Sequence, residues 1–157
     1  MGRPGGCPLC LSDQTVRYIQ DFHRRFRTED DCLQYLFQVR FPQPSCRRCR
    51  RKGSCHFHKH AGKSCYTCTC GRYSVYPRAG TIFTNSPLPL IAWFHAVFFM
   101  TRSEQGISAR ELQRHLKVTY TTAWRVARRI RPLIPDNAHQ RDFLAVLRHV
   151  CTADTRA

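Results

Sequence analysis

Two cysteine pairs constrain this chain more than any other feature: Cys46-x-x-Cys49 and, after eighteen intervening residues, Cys68-x-Cys70-Gly71. Residues 45–80 are rich in Cys, Arg, His and Gly and hold too few aliphatic side chains for a core of their own. Something other than hydrophobic burial must therefore hold that stretch together. Four thiolates on two facing turns form a tetrahedral set, the geometry zinc prefers, and the segment between them folds as a hairpin. One structural zinc ion would supply folding free energy on the order of 10 kcal/mol. A site closed by four protein ligands has no open position at which to activate water.

The first pair is Cys46 and Cys49, and the second is open to two readings. Cys65-x-x-Cys68 has the better knuckle spacing. Cys68-x-Cys70 is followed at once by Gly71, which can adopt positive φ and let backbone N–H groups point at sulfur. The preferred ligand set is Cys46, Cys49, Cys68 and Cys70, with Cys65 as the alternative to Cys70. Cys55, His56, His58 and His60 offer further donors but are expected at the hairpin tip. Arg47 stands where ribbons often carry Pro, and Arg50 where they carry Gly. A left-handed Arg50 would cost about 1 kcal/mol. Cys7-Pro8-Leu9-Cys10 has similar spacing without a second pair and reads as unliganded.

Ten cysteines in all raise the question of disulfides. The start, Met1 to Gly6, lacks the apolar core of a secretion signal. The longest apolar run, Leu88 to Met100, is interrupted by Pro89 and His95 and is shorter than the ~20 residues of a membrane span. The expectation is a cytoplasmic, nucleoid-associated protein with no membrane partner, in which clustered thiols mean metal.

The chain of 157 residues carries a formal charge of +16. No Asp or Glu occurs between Asp31 and Glu104, a stretch that holds Arg40, Arg47, Arg48, Arg50, Arg51, Lys52, Lys59, Lys63, Arg72, Arg78 and Arg102. A solvated basic surface would account for some of this. Cations without nearby carboxylates are poor intramolecular ion pairs and good phosphate contacts, which favours nucleic acid as the partner. Arg47, Arg48, Arg51 and Lys52 beside the cysteine pair are the first candidates.

Helical signals flank the cysteine-rich stretch. Thr28 and Asp31 form a variant capping box, and Cys32, Leu33, Leu36, Phe37 and Val39 recur at helical spacing. Phe41-Pro42-Gln43-Pro44 ends that helix. Thr81-Ile82-Phe83 reads as a short extended piece before a helix with Pro89 in its first turn and apolar residues on most sides. Ser108 and Glu111 make a full capping box after Gly106. That helix runs to a turn at Lys117-Val118, and Thr119 caps a second, basic helix from Tyr120 to Arg131.

Helix, tight turn and basic helix is the helix-turn-helix order, in which the second helix enters the major groove. Tyr120, Thr121, Thr122 and Arg125 are the base-reading candidates. Arg128, Arg129 and Arg131 are better placed for phosphates, and Lys117 in the turn is a further DNA-binding candidate. Trp124 is assigned to the inner face with Ala123, Val126, Ala127 and Ile130.

The apolar residues are clustered along the chain, which favours small cores over a single large one. The expected fold is a small α+β structure: an N-terminal helix, a four-cysteine zinc ribbon of β-hairpins, then a helical helix-turn-helix segment. The expected units are a flexible leader over 1–22, the helix and ribbon over 23–83, the helical DNA-binding segment over 84–134, and a tail over 135–157.

These residues together resemble the N-terminal region of bacterial insertion-sequence transposases of the ISXO-like zinc-ribbon group. The resemblance rests on FRTEDDCLQY at 26–35, the two cysteine pairs, AGTIF at 79–83, Pro89-Leu90, Trp93-Phe94 and the 106–131 segment. It implies that the ribbon and helix-turn-helix bind the element's terminal inverted repeats in double-stranded DNA. It also implies a following ribonuclease-H-like domain that cuts and joins DNA with two metal ions. Asp136, Asp142 and Asp154 are the acids of the tail and fall in no catalytic motif. The expectation is a truncated transposase that binds DNA without catalysis and has an intact copy as a second partner. Transposition by fusion to a downstream catalytic frame, and an RNA-binding or transcription-accessory ribbon, are the other readings.

Overall fold

The computed structural model describes residues 13–49, 55–71, 73–102, 107–134 and 143–153. Their order is α1 (Asp13–Arg25), α2 (Glu29–Arg40), β1 (Phe57–Lys59), β2 (Tyr66–Cys68), β3 (Ser74–Val75), α3 (Leu90–Arg102), α4 (Ala109–Leu116), α5 (Tyr120–Ile130) and α6 (Phe143–Thr152), with a 3-10 turn at Arg131–Leu133 after α5. The fold is small α+β. Its sheet is antiparallel in the order β1-β2-β3, with Phe57 opposite Cys68 and Tyr66 opposite Val75. Among the described residues no helix is long and apolar enough to cross a membrane.

The capping signals act where the sequence puts them. The Thr28 hydroxyl accepts the Asp31 N–H at 3.2 Å, and the Asp31 carboxylate accepts the Thr28 N–H at 2.9 Å. Ser108 and Glu111 repeat the exchange at 3.2 and 2.9 Å. Each box satisfies backbone donors that a helix start otherwise leaves open. The start of α3 is held differently. Glu29 of α2 accepts the N–H groups of Leu90 and Ile91 at 2.8 and 3.1 Å, so the first acid of one helix caps another.

One contiguous apolar cluster runs through the molecule, from Phe22 and Phe26 through Leu36, Tyr66, Val75, Phe83, Trp93 and Phe94 to Ile130, Leu147 and Cys151. This corrects the expectation of separate small cores, and the cluster has members on both sides of the boundary drawn at residue 83. All four expected units meet in that cluster because each helix brings an apolar face too small to close on itself. The leader expected over 1–22 contains α1 from Asp13 onward, and Phe22 of that helix lies 4.6 Å from His95 and 5.2 Å from Phe98, ring centre to ring centre. In the expected tail, Phe143, Val146, Leu147 and Val150 are buried, so α6 is part of the core. Large side chains fully removed from water contribute about 1.5–3 kcal/mol each.

Residues 81–85 form consecutive turns, where an extended piece was expected. The Thr81 and Thr84 hydroxyls both donate to the Arg78 carbonyl, at 2.6 and 2.7 Å. Arg78 Nη2 donates to the carbonyls of Phe83, Ser86 and Leu88 at 3.2, 3.0 and 3.3 Å, and Arg78 Nη1 stands 3.9 Å from Glu29 Oε1. One guanidinium thus folds the loop around itself.

Candidate functional site

The sheet positions the cysteines. The ring of Tyr66 in β2 stacks on Phe37 of α2 with centroids 4.1 Å apart, which docks the small sheet on the helical core. Lys59 of β1 pairs with Asp30 of α2. At the far end of β2, Cys68 turns into Gly71, whose φ of 68° is left-handed and whose N–H donates to the Cys68 carbonyl at 2.7 Å. That turn carries Cys70. On the facing side, residues 47–49 form a second turn, and the Cys49 N–H points at Cys46 Sγ at 3.5 Å.

The sulfurs of Cys46, Cys49, Cys68 and Cys70 all lie within 4.8 Å of one another. Cys46 Sγ is 3.5 Å from Cys70 Sγ, and Cys49 Sγ is 4.0 Å from Cys68 Sγ. Sulfur atoms so close, with no disulfide between them, are a ready ligand set for a metal ion. Burial opposes ionisation of Cys46, but backbone N–H groups of Cys49 and Arg48 and the thiols of Cys49 and Cys70 outweigh it. They bring Cys46 down to about 6, so the thiolate that binds metal is available at neutral pH.

Cys65 is not in the group. It precedes β2 and its carbonyl accepts the His60 N–H at the opposite end of the strand from Cys68. At ~3.3 Å of rise per strand residue the two cysteines are separated by roughly 10 Å along the chain. Cys55 was expected at the hairpin tip with His56, His58 and His60. It stands instead at the base, with its sulfur 3.3 Å from Cys49 Sγ, a fifth sulfur at the edge of the cluster. The sequence signal for it was the six-residue separation from Cys49, which a turn can close. His56, His58 and His60 are exposed and outside the metal group.

Arg47 and Arg48 are exposed beside this centre. Arg50, Arg51 and Lys52 lie outside the described residues, as do Cys7 and Cys10. Two other arginines of the acid-free stretch are turned inward. Besides Arg78, Arg40 donates from Nη1 to the carbonyls of Pro77 and Ala79 at 2.5 and 2.6 Å. Those guanidinium groups, expected as phosphate contacts, hold loops together by binding backbone carbonyls.

The helical pair forms the second candidate site. Lys117 ends α4 in the left-handed region at φ 53° and is exposed. Thr119 then caps α5 by accepting the Thr122 N–H at 3.3 Å. Ala123, Val126, Ala127 and Ile130 are buried, while Tyr120, Thr121, Arg125, Arg128 and Arg129 are exposed and Thr122 half-buried. Arg129 is partly engaged, since its Nη1 donates to the Ile82 carbonyl at 3.1 Å. Arg131 likewise donates to the Ile107 carbonyl at 3.3 Å.

Trp124, assigned to the inner face, is 44% exposed, with the Arg128 guanidinium 5.3 Å from its ring centre. At ~100° per residue, Trp124 lies on the line of Tyr120, Arg128 and Arg131 and beside the buried stripe, not within it. Comparison with family models, curated proteins and solved structures finds no match for this chain.

Proposed function

We propose that the chain binds double-stranded DNA through α4 and α5, with a zinc ion fixing the cysteine-bearing turns and no catalysis by these elements. The observation that carries this reading is the outward face of α5. Thr121, Arg125 and Arg128 are exposed on a helix without a single acidic residue, delivered by a tight turn from a capped partner helix. Such a face can enter the major groove with Tyr120, Thr121, Thr122 and Arg125 at base edges and Arg128 and Lys117 at phosphates.

Zinc is the proposed ion because four thiolates are soft, charged donors in a compact set, whereas magnesium and calcium take oxygen ligands. A site saturated by cysteine is structural: it fixes the positions of Arg47 and Arg48 and leaves the ion closed to substrate. The target class comes from the resemblance to insertion-sequence transposases, which points to transposon terminal inverted repeats and to an intact transposase as a second partner.

Footprinting on the inverted repeats that flank the coding sequence tests the reading. The expected result is protection of a defined stretch, at an affinity well above that for unrelated duplexes of equal length. Equal affinity for all duplexes, or tighter binding to single-stranded RNA than to duplex DNA across a salt series, overturns it.

A further inference from the structure

Three stripes run along α5. One is buried, one carries Thr121 and Arg125, and the third carries Tyr120, Trp124, Arg128 and Arg131. Trp124 on the third stripe is needed for neither packing nor groove entry, while Tyr120 and Arg128 border both the face proposed for duplex reading and the groove beside it. The third stripe lines a groove of about 620 Å³ together with Ser108 at the start of α4 and Pro132 after α5. That size falls in the ~300–1,000 Å³ range of ligand clefts. Tyr120 is 51% exposed and Trp124 44% exposed, among the few large apolar side chains of the described residues that stand in water. Among the described residues, the groove lining contains no acidic side chain.

We propose that this groove binds an unpaired nucleobase, with Trp124 stacking on the base and Arg128 on the phosphate that joins it to the duplex. Aromatic rings interleaved with arginine are the chemistry of single-stranded nucleic-acid recognition, because every base has a π face and every nucleotide a phosphate. The Arg128 guanidinium over the indole suits this role: it holds the ring at the groove wall and brings positive charge to it. The proposal rests on the duplex-binding reading, since it places the groove beside the helix face that would read the duplex. It adds that the protein prefers a duplex carrying an unpaired nucleotide, such as an overhang, to a blunt one.

The test compares a blunt duplex with the same duplex carrying a short single-stranded overhang, for the full chain and for Trp124→Ala. Trp93 is 2% exposed, so quenching of tryptophan fluorescence on binding reports Trp124. The expected result is at least ~5-fold tighter binding of the overhang duplex, the lower end of what one stacked base contributes, with quenching that the blunt duplex does not produce. In Trp124→Ala the preference falls to about one while blunt-duplex affinity stays, and Trp124→Phe restores part of it. Absence of any overhang preference in the unaltered chain, or its persistence in Trp124→Ala, overturns this inference and leaves duplex binding standing. Failure to bind the blunt duplex at all overturns the proposed function and this inference with it. Quenching by an acidic peptide but not by the overhang makes the groove a peptide site and overturns the inference alone.

Discussion

At Cys65 the chain offers a thiol better spaced from Cys68 than Cys70 is, and the fold sends it to the other end of β2. Spacing alone could not decide this, because both pairs fit a turn. The left-handed Gly71 decides it by folding Cys70 back toward Cys46. Cys65→Ser should therefore retain one metal ion per chain after dialysis, whereas Cys68→Ser should fall well below one, by metal analysis. Cys32 and Cys151 need no such test for metal. Burial pushes Cys32 up to about 12, and Cys151 is also held protonated by burial, so both behave as small apolar side chains. Arg125 and Arg129 differ in the same way as the cysteines. Arg129 is tied to the Ile82 carbonyl, while Arg125 is exposed on the outward face of α5. Arg125→Ala should weaken binding to the preferred duplex by about 1–3 kcal/mol and relax base preference at one position, measured by competition binding.

Among the elements, α2, α4 and α5 were legible because their starts carry chemistry that acts locally. For α2 and α4 a hydroxyl three residues ahead of a carboxylate fixes the helix start without help from the rest of the fold, and for α5 the Thr119 hydroxyl does so alone. Ser108→Ala should accordingly cost about 0.5–2 kcal/mol of stability by denaturant titration, with the loss centred on α4 and α5. The Glu111 carboxyl is held below its ordinary value by the Ser108 N–H and hydroxyl. Its share of the cap is therefore fully present above the ordinary carboxylate range and fades as pH falls through the lowered value. The turns at 81–85 and the start of α3 were not legible, because distant partners build them. Nothing in the local sequence says that Glu29 will cap Leu90 or that Arg78 will collect the carbonyls of Phe83, Ser86 and Leu88. Trp124 was misplaced for a related reason: in a short helix one position separates the buried stripe from the groove beside it.

For the whole molecule, the apolar clusters looked separate in the sequence and merge in space, since burial depends on which faces meet and not on where they fall along the chain. Chelation should thus have a local effect. The sheet and cysteine turns should lose hydrogen-exchange protection while helical circular dichroism largely persists, because α2, α3, α5 and α6 share a core without the metal. His95 sets a pH limit on that core. Burial, and then the neighbouring His23, hold it down to about 4, below its ordinary value of 6.5. The unfolded chain therefore takes up a proton first as pH falls, and stability declines between 6.5 and about 4. His95→Phe should flatten the thermal-midpoint profile across that window.

The inward arginines separate two quantities that are commonly treated as one. Arg40 and Arg78 still contribute to the long-range field of a chain with formal charge +16, so encounter with a polyanion should be fast and strongly slowed by added electrolyte. Arg40 Nη1 and Arg78 Nη2 are committed to carbonyls, however, and these two guanidinium groups should displace few counterions at contact. Arrival and grip should then answer to salt on different scales: a steep dependence in the association rate and a shallower one in the dissociation rate.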